Sequence, residues 1–479
     1  MNILQACADP NLFAPWFTRG DWTAWRAFLA ALFGLPMDDE ALTLYRNHTG
    51  RSVAPEGIGE EAWLVIGRRG GKSFIMALVA VYLATFKEYR QHLQPGERAT
   101  VMVIAADRRQ ARVIMRYIKG LMHGVAMLKA RITGETADSL DLENQVTIEV
   151  GTASFRTTRG YAFAAVLADE IAFWRSDDDA AEPDHAILDA VRPGMASIPG
   201  SVLICASSPY ARRGALWDAY KTHWGQDGAP LVWKAQTRDM NPTIRQSVID
   251  RAYERDPASA SAEYGAEFRK DIEAFVSLEV VRACITEGVV ERAPEPGIRY
   301  RAFVDPSGGV SDAMTLAIGH TDGETAVLDC LRERKAPFSP ENVVEEFCAV
   351  LASYGLTHVT GDKYAGEWPK EQFRKRGITY QVSHPTRSEI YRDLLPVLNS
   401  GKADLLDSDR LVSQLVGLER RVSRGGREMI DHAPNAHDDL ANAAAGVIGL
   451  CRAKPEAPTA LFGTYAYART PDRPRWTSV

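Results

Sequence analysis

The sequence lacks several features that mark special classes of protein. No apolar run approaches the roughly 18 residues that a membrane-spanning helix needs. The first ten residues have neither a basic start nor a long apolar stretch, so we expect no secretory signal. Six cysteines occur without a Cys-x-x-Cys pair, which argues against a disulfide scaffold or a zinc ribbon and fits free thiols in a reducing cytosol.

The chain also lacks an excess of positive charge. Its 479 residues include 56 lysines and arginines and 62 aspartates and glutamates, for a formal charge of −6. This excludes binding of nucleic acid by bulk charge, but it is compatible with local basic tracks. With 46% hydrophobic and 25% charged residues, the composition is that of a folded protein. The length predicts roughly two to four domains.

The first half of the chain alternates short apolar runs with segments of helical periodicity. The apolar runs cover residues 63–66, 100–105, 164–168 and 201–205. Continuous apolar strands that alternate with helices indicate a parallel sheet covered by helices on both faces. We therefore expect an α/β fold here.

A glycine-rich turn joins the first of these strands to the next predicted helix. Its sequence is Gly67-Arg68-Arg69-Gly70-Gly71-Lys72-Ser73, in the strand-to-helix context that a phosphate-binding loop requires. Backbone amides would face the β-phosphate of ATP, Lys72 would reach the β- and γ-phosphates, and Ser73 would bind Mg²⁺. The usual GxxxxGK[ST] pattern would place its first glycine at Ile66, so the spacing departs by one residue. The alternative is a plain turn before a surface helix.

Residues that close two later strands would complete this nucleotide site. Asp169 and Glu170 follow an apolar strand. We expect Asp169 to hold Mg²⁺ through water, and Glu170 to orient and deprotonate the attacking water. Ser207 and Ser208 close the next strand and would sense the γ-phosphate, with a capping turn as the alternative.

Two arginines inside the loop occupy an unusual position for cations. Hydrolysis needs positive charge near the equatorial oxygens of the phosphoryl group, and an arginine of the same chain can supply it. We expect Arg68 to be this catalytic cation, with Arg69 as the other candidate. Either side chain could instead pack against its own domain.

The pattern changes after residue 275. A proline- and charge-rich stretch at 291–297 suits a linker. Three strands then follow without a helix between them, at 300–304, 313–319 and 326–331, which indicates an antiparallel meander. After them we expect a helix from Pro340, a strand at 358–361, a helix at 367–376, a strand at 378–382 and a last helix at 437–451.

Aspartates end two of these strands and begin the last helix. Asp305 ends the first strand of the meander, Asp362 ends the strand after the first long helix, and Asp438 and Asp439 open the last helix. Carboxylates are hard ligands that suit Mg²⁺ or Mn²⁺, and two ions about 3.5–4 Å apart can cut a phosphodiester. We therefore expect Asp305, Asp362 and Asp438 as catalytic metal ligands, with Asp439 as a fourth.

Other polar residues near these aspartates are weaker candidates. Asp312 could be a peripheral metal ligand, and His437 either hydrogen-bonds the leaving phosphate or caps the helix. Basic runs at 108–112, 370–376 and 420–427 offer a track for DNA phosphates. The third run is the strongest, because its glycines suggest an exposed loop. The alternative for each run is a solvated charged face.

Taken together, these motifs resemble those of the large terminase subunit of tailed bacteriophages and prophages, over about residues 15–450. That family joins an N-terminal P-loop ATPase, which pumps DNA, to a C-terminal ribonuclease-H-like nuclease, which cuts it. Its phosphate loop typically carries an arginine and often lacks the first glycine, so Ile66 agrees with the resemblance. The family's coupling motif falls on Ser207 and Ser208, and Arg159-Gly160 before the acidic strand is a common feature.

The resemblance implies a domain organisation and an activity. The domains would be an ASCE-type ATPase with a lid region at 1–275, a linker at 276–298, a ribonuclease-H-like nuclease with a mixed sheet at 299–453 and a mobile tail at 454–479. ATP hydrolysis would drive viral double-stranded DNA into a procapsid. The nuclease would cut concatemeric DNA to start and end packaging.

Cofactors and partners follow from the same resemblance. ATP with Mg²⁺ would occupy the first site, and two Mg²⁺ or Mn²⁺ the second. Partners would be double-stranded DNA, a small terminase subunit, the portal of a procapsid, and further copies of this chain in a ring, with a monomer in solution as an alternative. We expect no membrane, and a location in the host bacterial cytoplasm with transient binding to the procapsid. The sequence names no adenine-contacting residue.

Three other functions remain open on the sequence. The chain could be an ATP-driven motor whose aspartate cluster is inert. It could also be a metal-dependent enzyme of the recombinase or transposase type with an ATPase partner domain. A small-molecule kinase fits least, because it has no use for a second acidic site.

Overall fold

The structure is a computed structural model, in which the chain forms two large sheets covered by helices and one small sheet. Among the described residues, no helix combines the length and apolar character that a membrane crossing requires. The described residues are 1–18, 20–153, 160–174, 183–228, 230–310, 312–362, 367–422, 428–433 and 436–452.

The first large sheet has eight strands in the order β3-β4-β5-β2-β6-β7-β1-β8 when they are numbered along the chain. Strands β5, β2, β6, β7, β1 and β8 run parallel to one another. Strand β4 runs antiparallel to both of its neighbours, β3 and β5. The strands are β1 (Glu61–Ile66), β2 (Ala99–Ala105), β3 (Ile132–Glu135), β4 (Ser139–Leu142), β5 (Val146–Thr152), β6 (Ala162–Asp169), β7 (Val202–Ser207) and β8 (Leu231–Ala235).

Helices cover both faces of this sheet. The central strands β2 and β6 are buried at every position, as their unbroken apolar sequence requires. Helices α3, α5 and α6 pack on one face, and α8 and α9 pack on the other. The helices are α1 (Ile3–Ala8), α2 (Ala14–Phe17), α3 (Thr23–Leu32), α4 (Asp39–Thr49), α5 (Lys72–Phe86), α6 (Arg108–Gly124), α7 (Ala126–Lys129), α8 (Pro183–Met195), α9 (Ala215–His223), α10 (Thr237–Met240), α11 (Gln246–Arg255) and α12 (Pro257–Glu263), with 3₁₀ turns at Arg90–His92 and Ile171–Phe173.

The rest of the described chain forms a mixed sheet of six strands and a small sheet of three. The elements are β9 (Ile272–Ala274), α13 (Leu278–Arg282), β10 (Arg301–Asp305), β11 (Met314–Asp322), β12 (Thr325–Arg334), α14 (Pro340–Ser353), β13 (His358–Gly361), α15 (Glu367–Lys375), β14 (Thr379–Val382), α16 (Arg387–Asn399), β15 (Ala403–Asp404), α17 (Asp409–Gly417), β16 (Leu418–Val422), β17 (Glu428–His432) and α18 (Asp439–Arg452).

The six-stranded sheet has the order β14-β13-β10-β11-β12-β15. Strands β10, β11 and β12 form the predicted antiparallel meander, and β13 and β14 continue the sheet parallel to β10. Helices α16, α17 and α18 cover one face of the sheet, and α14 and α15 cover the other. The predicted fold class, a parallel-rich α/β sheet followed by a mixed-sheet domain, is confirmed.

The small sheet has the order β17-β16-β9. Through β9, it ties the chain that follows the first large sheet to the second part of the structure. Its strand β9 pairs with β16, with Ile272 beside Arg421. Phe275 and Val281 are buried in the same core as α16 and α18. The segment 276–298, predicted as a linker, therefore contains helix α13 and packs with the second sheet; the domain bounds themselves remain a prediction.

A buried ion cluster joins the two parts of the chain. Glu419 on β16 is fully buried. Its carboxylate accepts hydrogen bonds from Arg213 Nη2 at 2.6 Å, from Tyr210 Oη at 2.9 Å and from Arg421 Nη2 at 2.9 Å. Tyr210 and Arg213 follow β7 of the first sheet, so partners from both parts of the chain neutralise this one carboxylate.

Replacing Arg213 by methionine is expected to lower the thermal unfolding midpoint by about 6–12 °C. Removal of one partner of a buried ion pair lowers the free energy of unfolding by about 3 kcal/mol at the low end of the usual range. The low end applies here because Arg421 still pairs with Glu419 in the variant. The double variant Arg213→Met with Glu419→Met should recover part of the loss, because it no longer leaves the buried Glu419 carboxylate short of a partner. A single variant within 1 °C of the unaltered chain would contradict a role for this cluster in stability.

Candidate active sites

The glycine-rich loop turns between β1 and α5 with the help of left-handed backbone conformations. Arg69 has φ 67° and Gly71 has φ 100°. A Cβ at Gly71 would lie 3.1 Å from Nε1 of Trp25, which donates a hydrogen bond to the carbonyl of Gly70 at 2.9 Å. Glycine is therefore required at position 71 by both conformation and space.

Residues far along the chain hold the carbonyl groups of this loop. Thr237 Oγ1 donates to the carbonyl of Arg68 at 2.8 Å, and Asn241 Nδ2 donates to that of Arg69 at 2.9 Å. A Cβ at Gly67 would lie 2.4 Å from Thr237 Oγ1, so glycine is required here as well. The amides of Gly67, Arg68 and Gly70 donate to backbone carbonyls, so an anion would be served by the amides where α5 begins. Nothing in the sequence near Thr237 signals this contact.

Lys72 is buried at the start of α5. Its ammonium donates to the carbonyl of Ile66 at 3.0 Å and lies 3.6 Å from Oε1 of Glu170. The side chain is thus folded back over the loop, as a phosphate-binding lysine must be. The loop and the acidic end of β6 therefore lie side by side, as the sequence predicts.

Asp169 at the end of β6 is fully buried and incompletely paired. Its Oδ2 accepts hydrogen bonds from Ser73 Oγ at 3.4 Å and from Gln110 Nε2 at 3.3 Å. Its Oδ1 has no hydrogen-bond partner among the described residues. Burial, and then the negative charge of Glu170, raise the pKa of Asp169, while Lys72 lowers it. A buried carboxylate with an open oxygen beside a serine hydroxyl fits a Mg²⁺ ion.

Glu170 has a strained backbone, with φ 51° and ψ 42°. Its Oε2 accepts a hydrogen bond from Ser207 Oγ at 2.9 Å and one from the Ser208 amide at 3.3 Å. The serines at the tip of β7 thus contact the predicted catalytic glutamate directly. The structure brings Lys72, Glu170 and these serines together, and their individual roles remain predictions.

Arg68 lies apart from this group. Its Nη1 pairs with Oε1 of Glu263 on α12 at 3.0 Å, and its side chain is 62% exposed. The structure therefore shows the packing arrangement that the sequence left open, in which Arg68 contacts its own domain. The catalytic role of Arg68 or Arg69 stays a prediction.

A second site lies at the carboxyl ends of β10 and β13, where α18 begins. A cavity of about 630 Å³ opens there. The predicted aspartates therefore converge on one place in the fold, together with the weaker candidates. The predicted residues that line the cavity are Asp305, Asp312, Asp362, His437, Asp438 and Asp439.

Asp305 is held by a residue that the sequence analysis missed. Asn442 Nδ2 donates to Asp305 Oδ2 at 2.7 Å, and Asn442 is fully buried. Burial raises the pKa of Asp305 to about 7, and the charges of Asp439 and Asp362 act in the same direction. The signal that could have revealed Asn442 is its position three residues after Asp439, which places both on one face of a helix.

Asp439 has an open carboxylate oxygen. Its Oδ2 is buried and makes no hydrogen bond with any described residue; His437 Nδ1 is 4.0 Å away. Burial, followed by the charge of Asp438, raises the pKa of Asp439 to about 6. An unpaired buried oxygen beside other acidic groups fits a site for a divalent cation.

Asp438, in contrast, is already paired. Arg387 Nη1 donates to both of its carboxylate oxygens, at 3.0 and 3.2 Å, and Tyr391 Oη donates to Oδ2 at 2.8 Å. Burial raises the pKa of Tyr391 well above its ordinary value, so this hydroxyl stays a donor. The sequence predicts Asp438 as a metal ligand and Asp439 as a fourth; Asp438 is paired and Asp439 has an open oxygen, and the assignment of ligands stays a prediction.

A further set of ligand atoms lies beside the cavity. Among the described residues, only Asp431, His432 and Asp438 offer three acidic or histidine ligand atoms within 4.8 Å of one another. The guanidinium of Arg387 lies 3.7 Å from Asp431 and 3.0 Å from Asp438, so a cation already serves this set. The other aspartates are spread more widely.

Of the three basic runs, the third is only partly described. On α6, Arg108 and Arg109 are exposed, and Arg112 pairs with Asp138 at 3.2 Å. In the third run, Arg420 and Arg421 pair with acidic neighbours. The glycine loop of that run at 423–427, Arg159 and the predicted tail lie outside the described residues.

No protein-family model matches the sequence, and no curated protein does either. Among solved structures, the chain is similar to the crystal structure of the HK97 bacteriophage large terminase, at 15% identity over 89% of this chain and 99% of that chain, with a TM-score of 0.39. It is similar to the large terminase of a thermophilic bacteriophage in complex with ADP, at 13% identity over 85% and 95%, with a TM-score of 0.34. It is also similar to the large terminase nuclease of thermophilic phage G20c with bound magnesium, at 18% identity over 37% of this chain and 98% of that chain, with a TM-score of 0.32. The solved proteins to which this chain is similar thus include large terminases of bacteriophages, the family that its motifs resemble.

Proposed function

We propose that this chain is a large terminase subunit, a DNA-packaging motor that hydrolyses ATP and carries its own metal-dependent endonuclease. One observation carries the proposal: two separate acidic sites lie in one chain, each at the carboxyl edge of its own sheet. The first combines a phosphate loop with Asp169 and Glu170. The second gathers Asp305, Asp362 and Asp439 around a cavity.

In the first site, the triphosphate of ATP would lie on the loop amides and on the N-terminus of α5. Ser73 and Asp169 would hold Mg²⁺, which when bound neutralises charge on the phosphate oxygens. Lys72 Nζ is 3.6 Å from Glu170 Oε1. A γ-phosphate would draw the lysine toward itself, which leaves Glu170 free to accept a proton from water.

In the second site, Asp305, Asp362 and Asp439 would hold divalent cations, Mg²⁺ or Mn²⁺. Bound there, such ions activate a water and stabilise the leaving oxygen of a phosphodiester. Asn442 orients the carboxylate of Asp305 through its 2.7 Å hydrogen bond. Asp438 holds Arg387 at the cavity wall, where its guanidinium would contact the phosphate of a bound strand.

Partners and location belong to the same proposal. We assign double-stranded DNA as the substrate that is moved and cut. A small terminase subunit, the portal of a procapsid and a ring of further copies of this chain would complete the machine, in the cytoplasm of the bacterial host. These assignments rest on the resemblance of the motifs.

Two assays on the purified full-length chain test the proposal: ATP turnover, and cutting of supercoiled plasmid with Mg²⁺ or Mn²⁺. Lys72→Ala is expected to reduce ATP turnover at least about 100-fold, because the lysine contacts the transferring phosphate, and to change cutting less than about threefold. Asp362→Asn should do the opposite. Lys87→Ala, just beyond the other end of α5, is the matched control.

Three outcomes would count against the proposal. Loss of both activities together in a folded single variant would contradict two separate sites. No cutting by the unaltered chain under any metal would favour the motor with an inert aspartate cluster. Joining of cut ends would indicate an enzyme of the recombinase type.

A further inference from the structure

A groove lies beside α16 and α18, over strands β10, β13 and β14 of the six-stranded sheet. It has a volume of about 1310 Å³ and is unrelated to the metal-site cavity, since the two share no described lining residue. We call it the α16–α18 groove. Its lining is mixed: polar and charged residues such as Arg301 and Lys402 stand beside apolar residues and glycines, which include Phe303, Ile390, Val397, Gly446, Gly449 and Leu450.

The floor of the groove is formed by small residues of α18. A Cβ at Gly446 would lie 2.4 Å from the ring of Phe303, so α18 contacts the sheet directly at that point. One turn later, a Cβ at Gly449 would meet no atom within 4 Å, so the space above Gly449 is open. The half-buried Val397 and Leu450 border this space. The groove can therefore accept apolar side chains.

The position where α18 ends indicates what fills the groove. Arg452, the last residue of α18, itself lines the groove. The chain continues from there through residues 453–479. The segment that leaves α18 thus starts at the wall of the groove, within reach of its whole length.

The continuing segment contains one uncharged aromatic run. Residues 460–468 are Ala-Leu-Phe-Gly-Thr-Tyr-Ala-Tyr-Ala, with prolines and charged residues before and after. Such a run is costly to leave in water and suits a groove that offers both apolar side chains and polar groups, where tyrosine hydroxyls find partners. Ser400 and Asp393 are among the lining residues that supply such polar groups.

We propose that residues 460–468 dock in the α16–α18 groove of the same chain. The nine residues from Arg452 to Leu461 can span up to about 30 Å. Helix α16 beside the groove is about 20 Å long. A tether of this length gives an effective concentration in the millimolar range, so modest affinity suffices for docking. This inference does not depend on the proposed enzymatic function.

Hydrogen–deuterium exchange on the full-length chain tests the docking. Backbone amides of 460–468 are expected to exchange at least tenfold more slowly than in a free peptide of the same sequence. Gly449→Glu, which places a charged side chain in the open space, should return them to the free-peptide rate. Gly120→Glu on α6 is the matched control, since its Cβ also meets nothing within 4 Å. It should leave the protection intact.

A second variant keeps the test independent of the fold of the groove. Leu461→Ser combined with Phe462→Ser changes only the docked segment, and it should remove protection from 460–468 without moving the unfolding midpoint. Free-peptide exchange in the unaltered chain would overturn the proposal. If the amides of 460–468 still exchange slowly in Gly449→Glu, these residues are protected somewhere other than the groove, and the proposal is overturned. Protection that rises with protein concentration would overturn it in favour of docking on a second copy.

Discussion

An Asp439→Asn variant is expected to lose metal-dependent cutting and, without metal, to be more stable than the unaltered chain. Cutting should fall at least about 100-fold, because the variant loses a charged ligand with an open oxygen. Stability should rise because the pKa of Asp439 is raised to about 6 by burial and by Asp438. The folded state therefore disfavours the ionised carboxylate, at a cost of about 1–3 kcal/mol near pH 7.5.

The pH dependence of this gain has a defined sign. A raised pKa means that the penalty is present above pH 6 and fades as the pH falls toward the ordinary value of 3.8, where both states bind the proton. The stability advantage of Asp439→Asn should therefore be full above pH 6 and shrink toward pH 4. Chemical unfolding in EDTA at several pH values measures it.

The neighbouring variant Asp438→Asn should shift stability in the opposite direction. It removes the charge that pairs with Arg387, and it weakens the acceptor of the fully buried Tyr391 hydroxyl. Poorly satisfied buried donors cost about 1–3 kcal/mol. Two adjacent aspartates thus give opposite signs for the same chemical change, so each variant is the control for the other.

Added Mn²⁺ distinguishes a metal ligand, the role proposed for Asp439, from a residue that only holds Arg387, the role proposed for Asp438. The metal should raise the unfolding midpoint of the unaltered chain and of Asp438→Asn, but not that of Asp439→Asn. If instead Asp438→Asn loses the Mn²⁺ response while Asp439→Asn keeps it, the ligand is Asp438, as the sequence alone suggested. If neither variant loses the response, the cation binds elsewhere.

That choice between two adjacent residues marks a limit of what the sequence could predict. Strand ends bring Asp305 and Asp362 to one edge of the sheet, and this follows from the order of elements alone. Neighbouring residues on a helix point about 100° apart, so Asp438 and Asp439 contact different partners although both line the cavity. Which of the two is paired depends on α16, whose Arg387 contacts Asp438, and no local pattern reveals that contact.

The strands also divide into those that the sequence predicts and those that it does not. The buried strands β2 and β6 are continuous apolar runs, and the sequence predicts them within two residues of their bounds. Strands β3 and β4 have four residues each with alternating burial, so their apolar signal is too short to detect. Strand β9 pairs with β16 about 150 residues away, and such pairing leaves no local trace.

In the first site, Glu170→Gln is expected to reduce ATP turnover by about 10²–10⁴-fold while ATP still binds. The change removes the group that would accept a proton from water. It leaves Ser73, the loop amides and the charge of Lys72 in place, and it releases Lys72 from the ion pair at 3.6 Å. Affinity for ATP should therefore be unchanged or higher. Lys72→Ala should instead lose affinity, because it removes a direct phosphate contact.

Single-turnover hydrolysis and equilibrium binding of a fluorescent ATP analogue separate these two effects. Glu149→Gln on β5 of the same sheet is the matched control, because it makes the same chemical change in a half-buried glutamate beside Tyr161 and should leave both readouts within about twofold. A Glu170→Gln chain that keeps a tenth of its turnover would contradict the role of proton acceptor. Loss of ATP binding in that variant would mean that Glu170 shapes the loop instead. The strained backbone at φ 51° makes that distinction worth measuring, since the nearly isosteric glutamine preserves the shape and removes only the charge.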